Sequence, residues 1–249
     1  MSGHSKWATI KRKKEATDTK RSNMYAKLLR AVEVAAREGG GSVEGNMTLA
    51  SAVDKAKSFS VPNDNIERAI KRGTGELGDG ARYEEVTYEG YAPGGVAMLV
   101  ETLTDNRNRT AQDVRHAFTR NNGNLGEVGS TAWMFSRKGL ILIEKAEAPD
   151  EERLLELGLE AGADDLSDGE STWEIATDPG AFRAVRDAIE AAGIPMVSAE
   201  LTMVPQTMVP VDGAQARAVL NLLETLEDLD DVQAVYANFD IPEEIMASL

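Results

Sequence analysis

The chain has 249 residues, 42% of them hydrophobic, and carries 27 Lys and Arg against 42 Asp and Glu for a formal net charge of −15. That length suits one large domain or two to three small ones, each with its own core. The absence of Cys excludes a disulfide framework, a thiolate nucleophile and Cys-ligated zinc, and the two imidazoles, His4 and His116, leave little for a histidine metal site or triad. No apolar run approaches the ~20 residues of a membrane span, and Met1 leads into polar, basic residues without a secretory apolar core, so a cytoplasmic protein without a membrane partner is expected.

The charge is unevenly distributed. Residues 1–37 hold ten Lys and Arg (Lys6, Lys11, Arg12, Lys13, Lys14, Lys20, Arg21, Lys27, Arg30 and Arg37) against Glu15, Asp18 and Glu33, a net +7 that leaves −22 for the other 212 residues. Such a split points to a polyanionic partner at the N-terminal end.

Residues 1–21 read as an extended arm or a charged helix. From about Ser22 to Glu38, Met24, Leu28, Val32 and Ala35 recur at helical spacing, with Lys27, Arg30 and Arg37 opposite them. Gly39-Gly40-Gly41 stops this helix, because glycine accepts the left-handed conformation at a helix end. A second helix is expected over Met47–Phe59 with Asn46 as its cap. A third runs from Asn63 or Asp64 to Arg72, with Ile66, Ala69 and Ile70 inward and Arg68, Lys71 and Arg72 outward. Together they predict a small helical bundle with a basic exterior. Residues 73–80 fit the spacing G-x-G-x-x-G, but a dinucleotide loop follows a strand and opens a helix. This stretch follows a helix, so it reads as a flexible hinge and no cofactor is expected.

Beyond residue 83 the period shortens. Strands are expected at Val86–Tyr91 and Val96–Leu103, then the polar loop Thr104–Arg109 ending in a capping Thr110, a helix to about Thr119, and a strand at Thr131–Phe135. The pattern then restarts: strand 139–144, helix 151–161, strand 172–176, helix 181–192, strand 195–203. A helix over 213–226 and a strand over 232–239 follow Pro205 and Pro210. The set at 83–135 lacks one helix and one strand for a closed layer, which 213–239 would supply. The fold class is therefore α/β (α+β) with three domains. An all-helical domain of residues 1–80 is followed by a discontinuous α+β sandwich (81–137 with 204–249) that carries a second α+β sandwich (138–203) as an insertion.

These residues also carry a resemblance. The opening Gly3-His4-Ser5-Lys6-Trp7, Ala35-Ala36-Arg37-Glu38-Gly39-Gly40, Asn63 to Glu76, Tyr88-Glu89-Gly90-Tyr91, Thr104-Asp105-Asn106-Arg107-Asn108-Arg109-Thr110, Val114-Arg115-His116-Ala117-Phe118 and Asn238-Phe239-Asp240-Ile241-Pro242 resemble the YebC family of bacterial proteins, which includes the mitochondrial translational activator of cytochrome oxidase. The resemblance spans the whole chain; Thr9 stands where that family has Asn, and Asn122 where it has Gly. It implies a three-domain architecture and a cytoplasmic regulator of gene expression, either a DNA-binding transcriptional regulator or a translation factor that helps the ribosome past sequences such as proline runs. It implies no catalytic site.

The basic head is the first candidate site. Lys6, Lys11, Arg12, Lys13, Lys14, Lys20 and Arg21 would neutralise phosphates and release counterions, and Trp7 would stack on bases; Arg68, Lys71 and Arg72 extend the patch. Arg107 and Arg109, ahead of a helix N-terminus, are a second candidate for phosphate, against the alternative that they pair with nearby acids. No stretch reads as a recognition helix with Asn, Gln and Arg at base-reading positions, and the acidic remainder would be repelled by long duplex DNA. The partner is thus a nucleic acid, DNA or ribosomal RNA within the ribosome, with no small-molecule substrate; a protein-interaction adaptor is the remaining reading, and the oligomeric state is left open. The acid runs Asp164-Asp165 and Glu227-Asp228-Leu229-Asp230-Asp231 lack the spacing of a calcium loop and read as solvated helix ends.

Overall fold

The computed structural model describes residues 18–78, 82–169 and 171–242. It is a mixed α/β protein: helices first, then antiparallel sheets with helices. The chain divides into two compact units, one of residues 132–211 with 236–242, so far as these are described, the other covering the described part of 12–131 with 212–235.

In the second of these, helices α1 (Asp18–Gly39), α2 (Met47–Ser58) and α3 (Asn63–Gly73) pack around Leu28, Val32, Ala35, Leu49, Val53, Ile66 and Ala69. Asn46 caps α2, its Oδ1 accepting from the Leu49 N–H at 3.0 Å. Its Nδ2 donates to the carbonyls of Ala35 (2.8 Å) and Gly40 (2.9 Å) at the end of α1. One side chain thus satisfies orphan groups of two helix ends. The third helix differs from expectation: it starts at Asn63 with Pro62 in the cap position and no side-chain cap. Proline's fixed φ suits the entry to a helix, so a capping amide is not required there.

The helices lead into the hairpin of β1 (Glu84–Ala92) and β2 (Val96–Thr104), paired from Glu84↔Thr104 to Ala92↔Val96 around Pro93-Gly94-Gly95. Gly94 and Gly95 have φ of +83° and +78°, which a side chain would resist. Next come α4 (Arg107–Arg120) and the two-residue β3 (Asn124–Leu125). The sheet has the order β3-β1-β2-β9, where β9 is Val232–Ala237, reached through α7 (Gly213–Glu227). Helix α4 buries Val114, Ala117 and Phe118, and the Phe118 ring fills the space beside Gly90, where a Cβ would lie 2.7 Å from it. Glycine at 90 is what lets the helix approach the strand.

The other unit holds β4 (Phe135–Glu144), α5 (Glu151–Ala161), β5 (Asp165–Asp168), β6 (Thr172–Thr177), α6 (Phe182–Ala191) and β7 (Ser198–Pro205), with the sheet order β5-β6-β4-β7, antiparallel throughout. Ile141, Ile143, Trp173 and Ile175 from the sheet meet Leu154, Val185 and Ile189 from the two helices. A two-residue parallel pair, β8 (Val209–Pro210) with β10 (Phe239–Asp240), completes it.

Three further expectations change. The strand expected at Thr131–Phe135 is instead a 3₁₀ turn at Ala132–Met134 leading into one long strand from Phe135. Thr131 gives its N–H to the Glu89 carboxylate at 2.6 Å rather than to a ladder. Asp165 belongs to the additional strand β5, and Asp164 meets Lys138 at 2.8 Å, so this run is not a solvated helix end. The stretch 73–78 is a hydrogen-bonded turn rather than a free hinge: Thr74, Gly75 and Glu76 donate back to Ile70, Arg72 and Lys71.

Candidate nucleic-acid interface

The expected site residues divide sharply. Lys6, Trp7, Lys11, Arg12, Lys13 and Lys14 lie outside the described residues. Lys20 and Arg21 fall in the first turn of α1. On α3, Arg68 and Lys71 are exposed, while Arg72 lies 3.6 Å from Glu33, which Arg37 also approaches at 3.3 Å. Gly73, the last residue of α3, is buried against the carbonyl of Glu33, so the G-x-G-x-x-G run begins as a helix-packing glycine and not as a phosphate loop.

Two cations of α1 do not face solvent as the helical wheel suggests. Lys27 is 9% exposed and donates to the carbonyl of Glu227 at the C-terminal end of α7. That carbonyl lies in the last turn of α7, at the negative end of the helix dipole, so it suits an ammonium. Arg30 donates to the carbonyls of Asp230 (3.0 Å) and Leu103 (3.3 Å) and to the Asp231 carboxylate (3.2 Å), and its guanidinium stands 5.1 Å from the centre of the Tyr83 ring.

Asp231 is the centre of this junction. Its carboxylate accepts from Arg30, from Arg109 at 2.7 Å, from the Thr110 hydroxyl at 2.7 Å and from Thr104 at 3.2 Å, while its carbonyl accepts from the Leu103 N–H at 2.8 Å. Burial pushes the carboxyl pKa up, but the hydrogen bonds from Arg109 and Thr110 outweigh it and hold the group below the ordinary carboxylate range. The hydrogen bonds to Asp231 and Asp105 raise Arg109 in turn. Arg109 therefore pairs with acids, as the alternative reading of the loop had it, and it holds α4 in place. Arg107 is exposed; its backbone carbonyl accepts from the Tyr88 hydroxyl at 3.4 Å, and burial raises the pKa of that phenol.

This junction is not among the expectations from sequence. The usable signal was the placement of an acid at the head of an apolar strand together with a Thr-rich polar loop, Thr104 to Thr110. Helix α4 also starts earlier than expected. Asn106 is the cap, its Oδ1 accepting from the Arg109 N–H at 3.2 Å, because the Thr110 hydroxyl is committed to Asp231.

A second buried acid organises the loop after β3. The Glu89 carboxylate accepts from the N–H groups of Gly129 (2.7 Å) and Thr131 (2.6 Å), and the Tyr91 hydroxyl donates to the Ser130 carbonyl at 2.9 Å. The bound loop holds Val128 out at 93% exposure. Among the described residues no group of three or more His, Asp or Glu could hold a metal ion, and no helix is long and apolar enough to cross a membrane.

Helices followed by antiparallel sheets with helices define a mixed α/β protein, here with a basic N-terminal segment. Residues 5–76 match the model of the TACO1/YebC protein N-terminal domain and residues 83–239 that of the TACO1/YebC second and third domain. The chain belongs to the TACO1/YebC family, whose members named as probable transcriptional regulators are not enzymes. It is 58% identical to a probable transcriptional regulatory protein of Geobacter sulfurreducens over the whole of both chains. It is 56% identical to one from Rubrobacter xylanophilus, covering 100% of this chain and 99% of that one. The crystal structure of a conserved hypothetical protein from Aquifex aeolicus superposes with a TM-score of 0.80 at 47% identity, covering 92% of this chain and 94% of that one.

Proposed function

We propose that the protein is a cytoplasmic, non-enzymatic DNA-binding regulator of transcription that grips its polyanion through the basic N-terminal segment. The observation that carries this reading is the charge split: net +7 in residues 1–37 on a chain of −15. Arg68 and Lys71, exposed on α3, extend the positive surface, and the names of the relatives agree with a transcriptional role. In this reading Lys6, Lys11, Arg12, Lys13, Lys14, Lys20 and Arg21 neutralise phosphates, Trp7 stacks on bases, and Arg72 and Arg109 serve the protein's own packing. The working arrangement is three-part, 1–80, 81–137 with 204–249, and 138–203; β9 lying beside β2 and the separate sheet β5-β6-β4-β7 support it.

The test is a titration of the full chain with duplex DNA, structured RNA and ribosomes at two salt concentrations. Wild type binds duplex DNA with an affinity that falls steeply with salt, and replacing Lys11, Arg12, Lys13 and Lys14 by Gln lowers the slope of log K against log salt by about 0.9 for each phosphate that is no longer neutralised. Unchanged binding in that variant removes the basic head as the contact surface. The −22 carried by the remaining 212 residues favours one second reading, a translation factor seated on ribosomal RNA, since an acidic body disfavours long duplex DNA. Ribosome co-sedimentation without duplex binding selects it.

A further inference from the structure

Helix α4 carries an outer face that the proposed function does not use. Nine of its fourteen residues are exposed, and Asp113 is its one acid, on a chain of net −15. Asn108, Gln112, Arg115 and Thr119 are all exposed, and at 100° per residue they fall in one stripe about 60° wide. The stripe is about 16 Å long, the span of about five base pairs. Asp113 projects about 130° away from the middle of the stripe. Exposed Arg107 and Arg120 stand at its two ends.

The side chains are of the kinds that read base edges. Arginine pairs with guanine through two hydrogen bonds, and Asn and Gln pair in the same way with adenine. They stand on a fixed platform, because Val114, Ala117 and Phe118 are 0%, 2% and 0% exposed, and Arg109 and Thr110 tie the helix start to Asp231. Base contacts need such preorganisation, since a loose helix would lose the register on which bidentate pairing depends. A major groove about 12 Å wide admits an α-helix, whereas the deep, narrow major groove of duplex RNA does not.

We infer that the outer face of α4 is a base-reading surface for duplex DNA, with Asn108, Gln112 and Arg115 in the major groove and Arg107 and Arg120 on the flanking phosphates. This rests on the DNA-binding reading above and adds sequence selectivity to it, which phosphate contacts from the basic head do not supply.

The experiment is selection of the full-length protein on a pool of random duplex DNA, followed by fluorescence anisotropy on the enriched and a scrambled sequence. Wild type enriches a short motif and prefers it. The Asn108→Ala, Gln112→Ala, Arg115→Ala variant still binds scrambled duplex in a salt-dependent way through the basic head but loses at least about tenfold to a hundredfold in preference, the worth of a single bidentate contact. Arg115→Lys, which keeps the charge but not the fork, loses preference at one position of the motif. The substituted side chains are exposed, so unchanged circular dichroism is expected and checks folding. Two results overturn the inference while leaving duplex binding intact: wild type enriches no motif, or the triple variant retains it. A wild type that binds no duplex DNA overturns both this inference and the reading on which it rests.

Discussion

Asp231→Asn removes the charge at the α1–α4 junction with almost no change of shape. The carboxylate side chain is 9% exposed and accepts from four donors. Thr104 and Thr110 are 0% and 1% exposed, so their hydroxyls have little access to water if the acceptor weakens. Each hydroxyl bond to a charged group is worth about 1.5 kcal/mol net, the lower end of the range for such bonds. Arg30, with 21% of its side chain exposed, adds about 1 kcal/mol after allowance for screening. Arg109 lies at the surface and is left out of the sum. Asp231→Ala should therefore cost about 3–4 kcal/mol, and Asp231→Asn, which keeps a carbonyl acceptor, about 2 kcal/mol. The pH dependence has a definite sign. A carboxyl held below its unfolded value stabilises the fold above about pH 3.9 and loses that contribution as the pH falls through the lower, folded-state pKa. Chemical denaturation followed by circular dichroism at pH 7 and pH 3, with hydrogen exchange on α1, measures both effects. A loss under about 0.5 kcal/mol at pH 7, or an Asp231→Asn variant as acid-sensitive as wild type between those two pH values, refutes the reasoning.

Asn46→Ala removes the cap of α2 and leaves the Ala35 and Gly40 carbonyls without their donor; a denaturation midpoint corresponding to a loss of about 2 kcal/mol is expected. Gly73→Ala drives a Cβ into the Glu33 carbonyl and to 2.8 Å from the Ala36 Cβ, backbone against a packed helix, and should cost about 1–3 kcal/mol by the same assay. Glu89→Gln weakens the acceptor for Gly129 and Thr131, so their amides should exchange with solvent at least tenfold faster, equivalent to about 1.4 kcal/mol.

Much of the fold was legible because the apolar positions announce it. Leu49, Val53 and Ala56 give α2, Ile66 and Ala69 give α3, and the apolar run Val96–Leu103 gives the buried β2. What escaped was short and polar. Asp165-Leu166-Ser167-Asp168 has one apolar residue, and Asn124-Leu125 is too short to show alternation. The site was legible only as charge. A helical wheel says that Lys27 and Arg30 point away from the apolar stripe, but the acceptors they find, Glu227 and Asp231, lie about 200 residues further along the chain. The outer stripe of α4 escaped for a smaller reason. With Thr110 taken as the cap, Asn108 falls outside the helix and out of line with Gln112 and Arg115; with Asn106 as the cap, the three share a face.

The junction at Asp231 also bears on how the two proposed contacts act together. Arg30 brings α1 to this carboxylate and Arg109 brings α4, so one side chain fixes the helix that continues the basic arm relative to the helix that carries the polar stripe. Phosphate contacts set register, and base contacts gain from a register set in advance, because ordering entropy already lost in the free protein is not lost again on binding. Loosening the junction should therefore spare one term and weaken the other. Asp231→Asn leaves the Lys and Arg of the basic segment in place, so affinity for scrambled duplex and its salt slope should match wild type. Preference for an enriched motif should fall about threefold to tenfold, since a misplaced base contact loses part of the worth of a bidentate pair. Anisotropy titrations at one salt concentration on both duplexes measure the ratio. Equal losses on the two duplexes would mean that Asp231 supports the protein's stability without setting the register of α4.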